Sequence, residues 1–377
     1  MSFHSGFDFA GLDPAVEVER AVSELRHGRP VLMADGERRM AVLSLDCVAP
    51  GVYEQFAHAT GDRHDLLLMA PRASRLGIRD SGDIAVPLKG LTFADASRLA
   101  YQLGAESPSI WKPADPLAAL SAELARLALL LPAMIHADVT GQASRFAACA
   151  VIDSRRIRES HSARQHFELV VRTPVPLTGL GTAEFAVFRG GLSQKDQVAI
   201  IVGDPDLSRP VPIRIHSSCI TGDLCGSLKC DCGDQLRNGL KSLKRAGGGV
   251  LLYLDQEGRG TGIGAKMRAY GYQHLGLDTI DADAELGLAE DHRRYEAAIA
   301  MLKLLGIGSV AVYTNNPTKI AGLRAGGIEV DAREPVTGRV TAENANYLKT
   351  KTVRAGHMLD LKELQSASEG WLSRNLA

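Results

Sequence analysis

The length, composition and charge of the chain exclude several broad classes of protein. It has 377 residues, of which 45% are hydrophobic and 23% charged, and its formal net charge is −1. This length predicts two globular domains, and the near-neutral charge argues against a general nucleic-acid-binding surface.

The first residues and the most apolar stretch predict neither export nor membrane insertion. The start, Met-Ser-Phe-His-Ser-Gly-Phe-Asp, lacks a basic segment followed by an apolar one, so we predict no signal peptide. The run from Leu124 to Ile135 is too short to span a bilayer and contains Arg126 and Pro132. Six cysteines in so long a chain do not indicate a disulfide scaffold. We therefore predict a cytoplasmic protein without membrane contacts.

Residues 1–165 have the pattern of a mixed α/β domain. Apolar residues at helical spacing predict helices over residues 15–28, 93–103 and 117–131. Short aliphatic runs predict strands over residues 30–33, 41–45 and 65–69. The polar, basic stretch 155–166 is either a helix end or a linker, and residue types alone give no catalytic motif in this half.

Residues 166–360 give clearer signals, and residues 361–377 form a C-terminal tail. Apolar runs predict strands over residues 184–188, 198–202, 211–215, 250–254 and 310–313. Periodic apolar residues predict helices over residues 234–245, 265–275, 291–305 and 318–325. We therefore predict an α+β domain, with a β-meander leading into βα units, preceded by the second, mixed α/β domain.

Four of the six cysteines lie between Cys219 and Cys232, just after His216. Cys219, Cys230 and Cys232 could give three thiolates to a zinc ion and leave its fourth position open for water, as in catalytic sites. A closed structural site would need a fourth ligand, which Cys225 or His216 could supply. The spacing alone leaves both kinds of zinc site open.

Two loops that follow predicted strands are candidates for phosphate binding. In the first, Glu257-Gly258-Arg259-Gly260, glycines let backbone amides approach phosphate oxygens and the arginine can bind them bidentately. The second, Thr314-Asn-Asn-Pro-x-Lys319, opens a helix, where a lysine would face a phosphate. Each also has a purely structural interpretation, as a flexible turn or as an ordinary capped turn with a solvated lysine.

The segment Asp291-His-Arg293 adds a third group of charged residues. Asp291 could act as a base and Arg293 could bind phosphate. The alternative is the charged, solvated first turn of a helix.

Taken together in chain order, these motifs resemble GTP cyclohydrolase II, the enzyme that opens riboflavin synthesis. The match runs from about residue 170 to residue 358 and ends on Asn346-Tyr-Leu-x-Thr-Lys and Gly356-His. The motifs are Arg214-Ile-His-Ser-Ser-Cys219, Cys230-Asp-Cys232-Gly-x-Gln235, Gln256-Glu257-Gly258-Arg259-Gly, Lys-x-Arg-Ala-Tyr270, Asp278-Thr279, Asp291-x-Arg293 and Thr314-Asn-Asn-Pro-x-Lys319.

The resemblance implies zinc-dependent hydrolysis of GTP to 2,5-diamino-6-(5-phosphoribosylamino)pyrimidin-4(3H)-one, formate and diphosphate. Cys219, Cys230 and Cys232 would hold one Zn²⁺ per subunit, which activates the water that opens guanine at C8. Mg²⁺ would accompany the triphosphate and neutralise part of its charge. The family also implies a homodimer.

The resemblance further implies roles for the surrounding residues. Tyr270 would orient the substrate or the water, Asp291 would be the general base, and Arg293 would be the nucleophile proposed for displacing diphosphate at the α-phosphate. Because the pKa of arginine is so high, stabilisation of transition-state charge is the simpler role for Arg293. The implied GTP-binding residues are Arg214, Ile215, His216, Ser217, Ser218, Gln235, Glu257, Gly258, Arg259, Thr279, Thr314 and Lys319.

Four positions depart from the family's usual residues. Ser218 stands where glutamate is common, Asp255 where a basic residue is common, Ala265 where asparagine is common, and Arg294 where an acidic residue is frequent. These departures concern recognition of the base or the sugar more than the chemistry. A related enzyme for another purine or pyrimidine nucleotide, or a regulatory nucleotide-binding protein, is therefore the alternative.

Residues 21–35 and 70–77 weakly resemble 3,4-dihydroxy-2-butanone 4-phosphate synthase, which precedes this domain in bifunctional riboflavin enzymes. That synthase carries an acidic Glu-Asn-Glu-Gly loop for Mg²⁺, whereas this chain has Gly36-Glu37-Arg38-Arg39. Without paired carboxylates the metal lacks its ligands. We therefore predict that residues 1–165 are catalytically inactive and serve as a scaffold or in regulation; a bifunctional enzyme is the alternative.

Overall fold

The structure, a computed structural model, describes residues 14–79, 82–163, 166–192, 195–289, 293–354 and 356–359. By its packing the chain divides into two units, one of residues 1–164 with residues 285–288 and one of residues 165–284 with 289–377. Among the described residues, each unit contains one seven-stranded mixed sheet with helices, which confirms the predicted mixed α/β class. No helix in the described part of the chain is long and apolar enough to cross a membrane.

The first unit is built on a largely antiparallel sheet. Its strands are β1 Val31–Asp35, β2 Arg38–Ser44, β3 Asp65–Leu68, β4 Ile84–Pro87, β5 Lys112–Pro113, β6 Met134–Asp138 and β7 Ala150–Asp153. The strand order is β5-β4-β3-β6-β2-β1-β7, and only the pairing of β1 with β7 is parallel among these described strands.

The helices of the first unit confirm the three predicted from apolar periodicity. They are α1 Pro14–Arg26, α2 Pro50–Ala59, α3 Ala70–Arg75, α4 Phe93–Tyr101, α5 Pro116–Leu127 and α6 Ser154–Ala163. In α1, Val18, Ala21, Val22 and Leu25 are buried on one face, as the three- and four-residue spacing requires. The stretch 155–166, left open by the sequence, lies mainly in helix α6.

The second unit joins an antiparallel meander to a parallel half-sheet. Its strands are β8 Phe167–Leu177, β9 Gly181–Gly190, β10 Gln197–Gly203, β11 Val211–Ser217, β12 Gly248–Leu254, β13 Ser309–Tyr313 and β14 Glu329–Glu334. In the order β14-β13-β11-β12-β10-β9-β8, the first four strands are parallel and the rest antiparallel. The predicted strands are confirmed. The meander is formed by β8, β9 and β10; residues 211–215, expected as its third strand after 184–188 and 198–202, lie instead in β11, between the parallel strands β12 and β13.

The helices of the second unit follow the strands that carry the candidate loops. They are α7 Cys232–Arg245, α8 Glu257–Gly260, α9 Gly262–His274, α10 Thr279–Glu285, α11 Glu296–Leu304, α12 Pro317–Ala325 and α13 Ala345–Val353, with a π-helical turn over Ile220–Leu224. Since β11, β12 and β13 are neighbours and parallel in the sheet, their carboxyl ends meet at one edge, the usual position of ligand sites in such sheets.

The predicted helix over residues 291–305 is wrong at its start. Helix α11 begins at Glu296, residues 293–295 are not helical, and residues 290–292 lie outside the described part of the chain. The carbonyl of Arg294 accepts a hydrogen bond from the Gln256 side chain, so it is occupied outside the helix. The buried Tyr295 holds this turn against the sheet core.

Candidate active site

A cavity of about 290 Å³ opens at the carboxyl ends of the parallel strands of the second unit. It is lined by residues that follow β11, β12 and β13, and by parts of α7, α9, α10 and α13. The structure brings together most of the predicted site residues here: Arg214, His216, Ser217, Ser218, Cys219, Cys230, Cys232, Gln235, Glu257, Gly258, Arg259, Tyr270, Thr279, Arg293, Thr314 and Lys319.

Two predicted site residues are not placed in this lining. Asp291 lies outside the described residues. The Ile215 side chain is buried in the sheet core, while its carbonyl accepts a 2.7 Å hydrogen bond from the Lys319 Nζ. Ile215 therefore contributes to the site through its backbone.

The sulfurs of Cys219, Cys230 and Cys232 form a compact cluster. All three lie within 4.8 Å of one another, and the Sγ atoms of Cys219 and Cys230 are 3.7 Å apart. Two thiolates on a tetrahedral zinc, with bonds of ~2.3 Å, are separated by about 3.8 Å. The cluster therefore has the dimensions of a zinc site.

Gly222, in the π-helical turn, lets the three cysteines approach one another. A Cβ atom at Gly222 would lie 2.9 Å from Cys230 Sγ, 3.0 Å from Cys232 Cβ and 3.1 Å from Cys219 Sγ. The Gly222 N–H donates to Cys219 Sγ at 3.3 Å. Glycine at this position thus leaves the space that the cluster requires.

The three thiols favour a bound cation electrostatically. Hydrogen bonds from Cys230 and Cys232 lower the pKa of Cys219, and the contact with Cys219 raises the pKa of Cys230 and that of Cys232. Three thiolates this close repel one another unless a positive charge lies between them. A divalent cation supplies that charge.

The structure shows whether Cys225 or His216 is placed to be a fourth metal ligand, which the sequence left open. Cys225 is exposed, and the His216 Nε2 lies 3.1 Å from the Asp223 carboxylate. Among the residues that the structure describes, only the three clustered cysteines form a group able to hold a metal. A three-thiolate site with one position facing the cavity fits this arrangement better than a closed structural site.

Lys266 is a site residue to which the sequence analysis gave no role. Its Nζ donates to Cys219 Sγ at 3.1 Å, to Thr221 Oγ1 at 2.9 Å and to Glu257 Oε1 at 2.7 Å. Burial opposes its charge, but the hydrogen bonds to Glu257 and Cys219 outweigh burial and raise the pKa of Lys266. Lys266 is therefore a permanent positive charge beside one thiolate.

Tyr270 lies one helical turn from Lys266 and also lines the cavity. The ammonium groups of Lys229 and Lys266 lie 5.1 Å and 5.6 Å from the centre of its ring. Burial raises the pKa of Tyr270, so its hydroxyl stays protonated at neutral pH and can donate a hydrogen bond.

His216 belongs to a buried polar network beneath the cysteines. Its ring stacks on Tyr253, with centroids 5.6 Å apart, and both side chains contact Asp223. Asp223 Oδ2 also accepts from the Cys219 N–H at 3.0 Å. Burial lowers the pKa of His216, so the network fixes a neutral ring and orients the turn that carries Cys219.

The glycine-rich loop after β12 has an unusual backbone. Gly258 and Arg259 have φ values of 62° and 59°, in the left-handed region that non-glycine residues rarely adopt. The Arg259 Nη1 lies 3.5 Å from Asp283 Oδ2. Non-glycine residues with a left-handed backbone conformation are concentrated at functional sites. The conformation of Arg259 therefore favours the phosphate-binding interpretation of this loop over a plain turn.

The loop after β13 places Lys319 at the start of α12. Asn316 caps this helix by accepting from the Thr318 N–H at 2.9 Å, and Thr314 Oγ1 accepts from the Asn316 N–H at 3.0 Å. Lys319 is buried, with 7% of its surface exposed, so it is not the solvated lysine of the structural alternative.

The C-terminal residues Tyr347, Lys351, Arg354 and His357 also line the cavity. The sequence analysis quoted this stretch in the resemblance but gave its residues no role. Of the four departures from the family pattern, only Ser218 lines the cavity, and its Oγ accepts from the Gln256 N–H at 3.2 Å. Asp255, Ala265 and Arg294 are not in the cavity lining.

In the first unit, no group of described residues resembles a metal site. Arg38 is the first residue of β2 and belongs to the stretch that the sequence resemblance aligned with the acidic loop of the synthase; it pairs with Asp115 at 2.9 Å and with Asp138 at 3.3 Å. The positively charged Arg38 side chain therefore stands where a Mg²⁺ site would need a carboxylate.

Comparisons with known proteins identify the family. The family model for GTP cyclohydrolase II matches residues 168–335. The GTP cyclohydrolase-2 of Xylella fastidiosa (strain 9a5c) is 51% identical over 95% of this chain and 91% of its own length. That of Azospirillum brasilense is 39% identical over 90% of this chain and 93% of its own length. The riboflavin biosynthesis protein RibBA of Bacillus mycoides (strain KBAB4) is 43% identical over 52% of this chain and 51% of its own length.

Solved structures add only a distant likeness. RibBX from A. baumannii, a two-domain 3,4-dihydroxy-2-butanone 4-phosphate synthase, covers 85% of this chain and 99% of its own at 16% identity, with a TM-score of 0.30. A score this low supports no conclusion about either unit. The long matches in sequence carry the assignment: this chain belongs to the GTP cyclohydrolase II family, the hydrolases of riboflavin biosynthesis.

Proposed function

We propose that this chain binds one Zn²⁺ through Cys219, Cys230 and Cys232 and hydrolyses GTP to 2,5-diamino-6-(5-phosphoribosylamino)pyrimidin-4(3H)-one, formate and diphosphate. The observation that carries the proposal is the three-sulfur cluster with zinc dimensions at the wall of a cavity that also holds Arg259, Arg293 and Lys319. Zinc bound there would activate water for attack at C8 of guanine.

The residues around the cluster hold and orient the reacting groups. Lys266 offsets the negative charge of three thiolates on a divalent ion, and Asp223 fixes the turn that carries Cys219. The protonated Tyr270 donates a hydrogen bond to the substrate or to the attacking water. We propose Asp291 as the general base that accepts the proton from that water.

The cations of the cavity serve the triphosphate. Arg293 stabilises the negative charge that develops as water attacks the α-phosphate and diphosphate leaves. Arg259 and Lys319 bind phosphate oxygens, and Mg²⁺ bound to the triphosphate neutralises part of its charge. The remaining residues proposed to bind GTP are the Ile215 backbone and the following residues of the cavity lining: Arg214, His216, Ser217, Ser218, Gln235, Glu257, Gly258, Thr279 and Thr314.

We propose that the N-terminal domain, residues 1–165, has no synthase activity and that residues 166–360 form the catalytic domain. Arg38 in place of an acidic ligand supports this. Ribulose 5-phosphate incubated with the full chain and Mg²⁺ should give no 3,4-dihydroxy-2-butanone 4-phosphate. Formation of that product would make the chain a bifunctional enzyme.

We also propose a cytoplasmic homodimer. The edge strand β8 supports self-association, because Leu169, Val170 and Val171 are 38–46% exposed on consecutive positions of a strand with no neighbour on one side among the described strands. Sedimentation of the full chain, compared with a Val171→Lys variant, tests the dimer.

Incubation of zinc-loaded protein with GTP and Mg²⁺ tests the reaction, with formate and diphosphate followed together. Both should be released by the wild type and lost in Cys230→Ser. The matched control is Cys225→Ser, since Cys225 is exposed and outside the cluster. Diphosphate without formate would show that ring opening is not catalysed. Release of neither product with zinc bound would refute GTP as substrate and favour another nucleotide or a regulatory role.

A further inference from the structure

A C-terminal strap, residues 341–359 with residue 355 outside the described part, forms one wall of the cavity. It contains α13 and the segment that follows, and it lies beyond residue 335, where the match to the family model ends. Its contribution to the lining consists of Tyr347, Lys351, Arg354 and His357.

The strap is held at both ends by the loops that build the site. Near its start, Thr341 Oγ1 donates to the Leu228 carbonyl at 3.2 Å, in the loop between the zinc-ligand cysteines. Near its end, the Met358 N–H donates to the Asn315 carbonyl at 2.9 Å, in the loop that opens α12. Leu348 between them is 2% exposed, so the strap packs as a fixed wall.

Lys351 carries a largely buried positive charge into the cavity. Its side chain is 12% exposed and its Nζ lies 4.3 Å above the Tyr347 ring. Its carboxylate partner is Asp231, at 3.5 Å, and the other oxygen of Asp231 accepts from Gln235. A pair at this distance leaves Lys351 able to bind a second anion.

His357 lies within a group of positive charges. Burial lowers its pKa to about 3, and four nearby cations add to the effect: Lys351, Arg293, Lys319 and Arg259. These residues come from four separate segments of the second unit. Arg259 and Lys351 each lie near one carboxylate, Asp283 and Asp231, so the positive charges that line the cavity are offset only in part by the carboxylates named here. A cavity lined by this many cations suits a polyanionic ligand, which reduces their mutual repulsion.

We propose that the C-terminal strap completes a polyphosphate subsite, in which Lys351 and His357 bind phosphate oxygens of the nucleoside triphosphate. The neutral His357 ring donates one N–H to a phosphate oxygen and adds no charge to the four cations. The proposal rests on the proposed function insofar as GTP occupies the cavity, and it gives a role to two residues of the C-terminal strap to which the family resemblance assigned none.

Calorimetric titration of the zinc-loaded full chain with inorganic triphosphate, and separately with guanosine, tests the subsite without turnover. The variants are His357→Ala and Lys351→Met, with Lys349→Met as matched control. Lys349 lies on the same helix, is exposed and does not line the cavity. Zinc content is measured in each variant because Asp231 lies between two cysteine ligands; Lys351→Arg, which keeps the charge, should restore binding if Lys351→Met weakens it.

We expect the affinity for inorganic triphosphate to fall about tenfold or more in His357→Ala and in Lys351→Met, the usual size of a lost hydrogen bond to a charged group. Guanosine affinity should stay within twofold in His357→Ala, and Lys349→Met should match the wild type. Unchanged triphosphate affinity in both variants would refute the subsite. An equal loss of triphosphate and guanosine affinity would also refute it, because the strap would then be structural.

The two proposals fail in different ways. If wild-type protein binds inorganic triphosphate and the strap variants do not, but GTP yields no formate, the cyclohydrolase reaction fails and the subsite stands. If GTP yields formate and the strap variants bind triphosphate as tightly as the wild type does, the subsite fails and the reaction stands. A wild type that does not bind inorganic triphosphate also refutes the subsite.

Discussion

Replacing Gly222 by alanine tests whether the three-cysteine cluster is shaped for a metal ion. The new Cβ would lie 2.9 Å from Cys230 Sγ, closer than such atoms approach in folded proteins, and 3.1 Å from Cys219 Sγ, which is an unusually tight contact. The methyl group cannot turn away, because alanine has no side-chain torsion that would move it. Either the sulfurs or the π-helical turn must shift.

The expected size of the effect follows from the cost of overpacking. Inserting a methyl group into a closely packed site typically costs 1–3 kcal/mol. If the strain falls on the geometry of the bound metal, zinc affinity decreases roughly 5- to 150-fold. The fold as a whole should survive, since Gly222 lies in a five-residue turn outside both sheets.

Zinc affinity is measured by competition with a chelator, and the ligand geometry by the thiolate-to-metal charge-transfer bands of the Co²⁺-loaded protein. Gly264→Ala is the matched control, because Gly264 lies in α9 with nothing within 4 Å of its would-be Cβ. That substitution should leave zinc affinity unchanged and raise stability by about 0.5–1 kcal/mol. A Gly222→Ala protein with wild-type zinc affinity and Co²⁺ spectrum would refute the inference that glycine at position 222 provides the space for a metal-bound cluster. Absence of thiolate-to-metal bands in the Co²⁺-loaded wild type would refute the assignment of the cluster as a metal site.

Two further predictions concern buried titratable side chains, one charged and one neutral. Lys266→Met should weaken zinc binding about tenfold, because Cys219 loses a charge-assisted hydrogen bond; chelator competition measures this, and unchanged affinity would contradict it. Burial lowers the pKa of His136 to about 4, so this ring contributes stability that is present above pH 6.5 and lost as the pH falls towards 4. The loss from His136 is roughly 3 kcal/mol, and urea titrations at pH 7 and pH 4 should show a smaller acid-induced decrease in His136→Gln; an identical decrease in both proteins would rule this out.

The sequence predicts the central strands well and the edges poorly. Residues 250–254 form a continuous apolar run because β12 lies inside the sheet with both faces covered. Strand β8 was missed because it is an edge strand with exposed side chains and two prolines, and therefore shows no alternation of buried and exposed positions. The start of α11 was misplaced because charged residues before it resemble a helix N-terminus, whereas a side chain from another loop determines the turn.

Some site residues can be identified from local sequence patterns, whereas others reach the cavity only through tertiary contacts. The three clustered cysteines could be chosen from spacing and family resemblance, because they lie within fourteen residues of one another in the sequence. Lys351 and His357 lie in the C-terminal stretch that the resemblance covers, but they received no role, since basic residues near the C-terminus are typical of a solvated surface. Only the packing of the strap on Leu228 and Asn315 brings these two residues into the cavity.

One contact connects the two halves of the proposed chemistry. Glu257 was predicted to bind GTP, but its carboxylate accepts from the Ile220 N–H at 2.6 Å and from Lys266, which in turn donates to Cys219. The next two residues are the left-handed Gly258 and Arg259. Arg259, which is proposed to bind phosphate, therefore lies two residues from Glu257, the residue that positions Lys266 beside Cys219. We infer that Glu257, in addition to the GTP contact proposed for it, holds the phosphate loop and the cysteine turn in register, so that its loss would weaken zinc and triphosphate binding together.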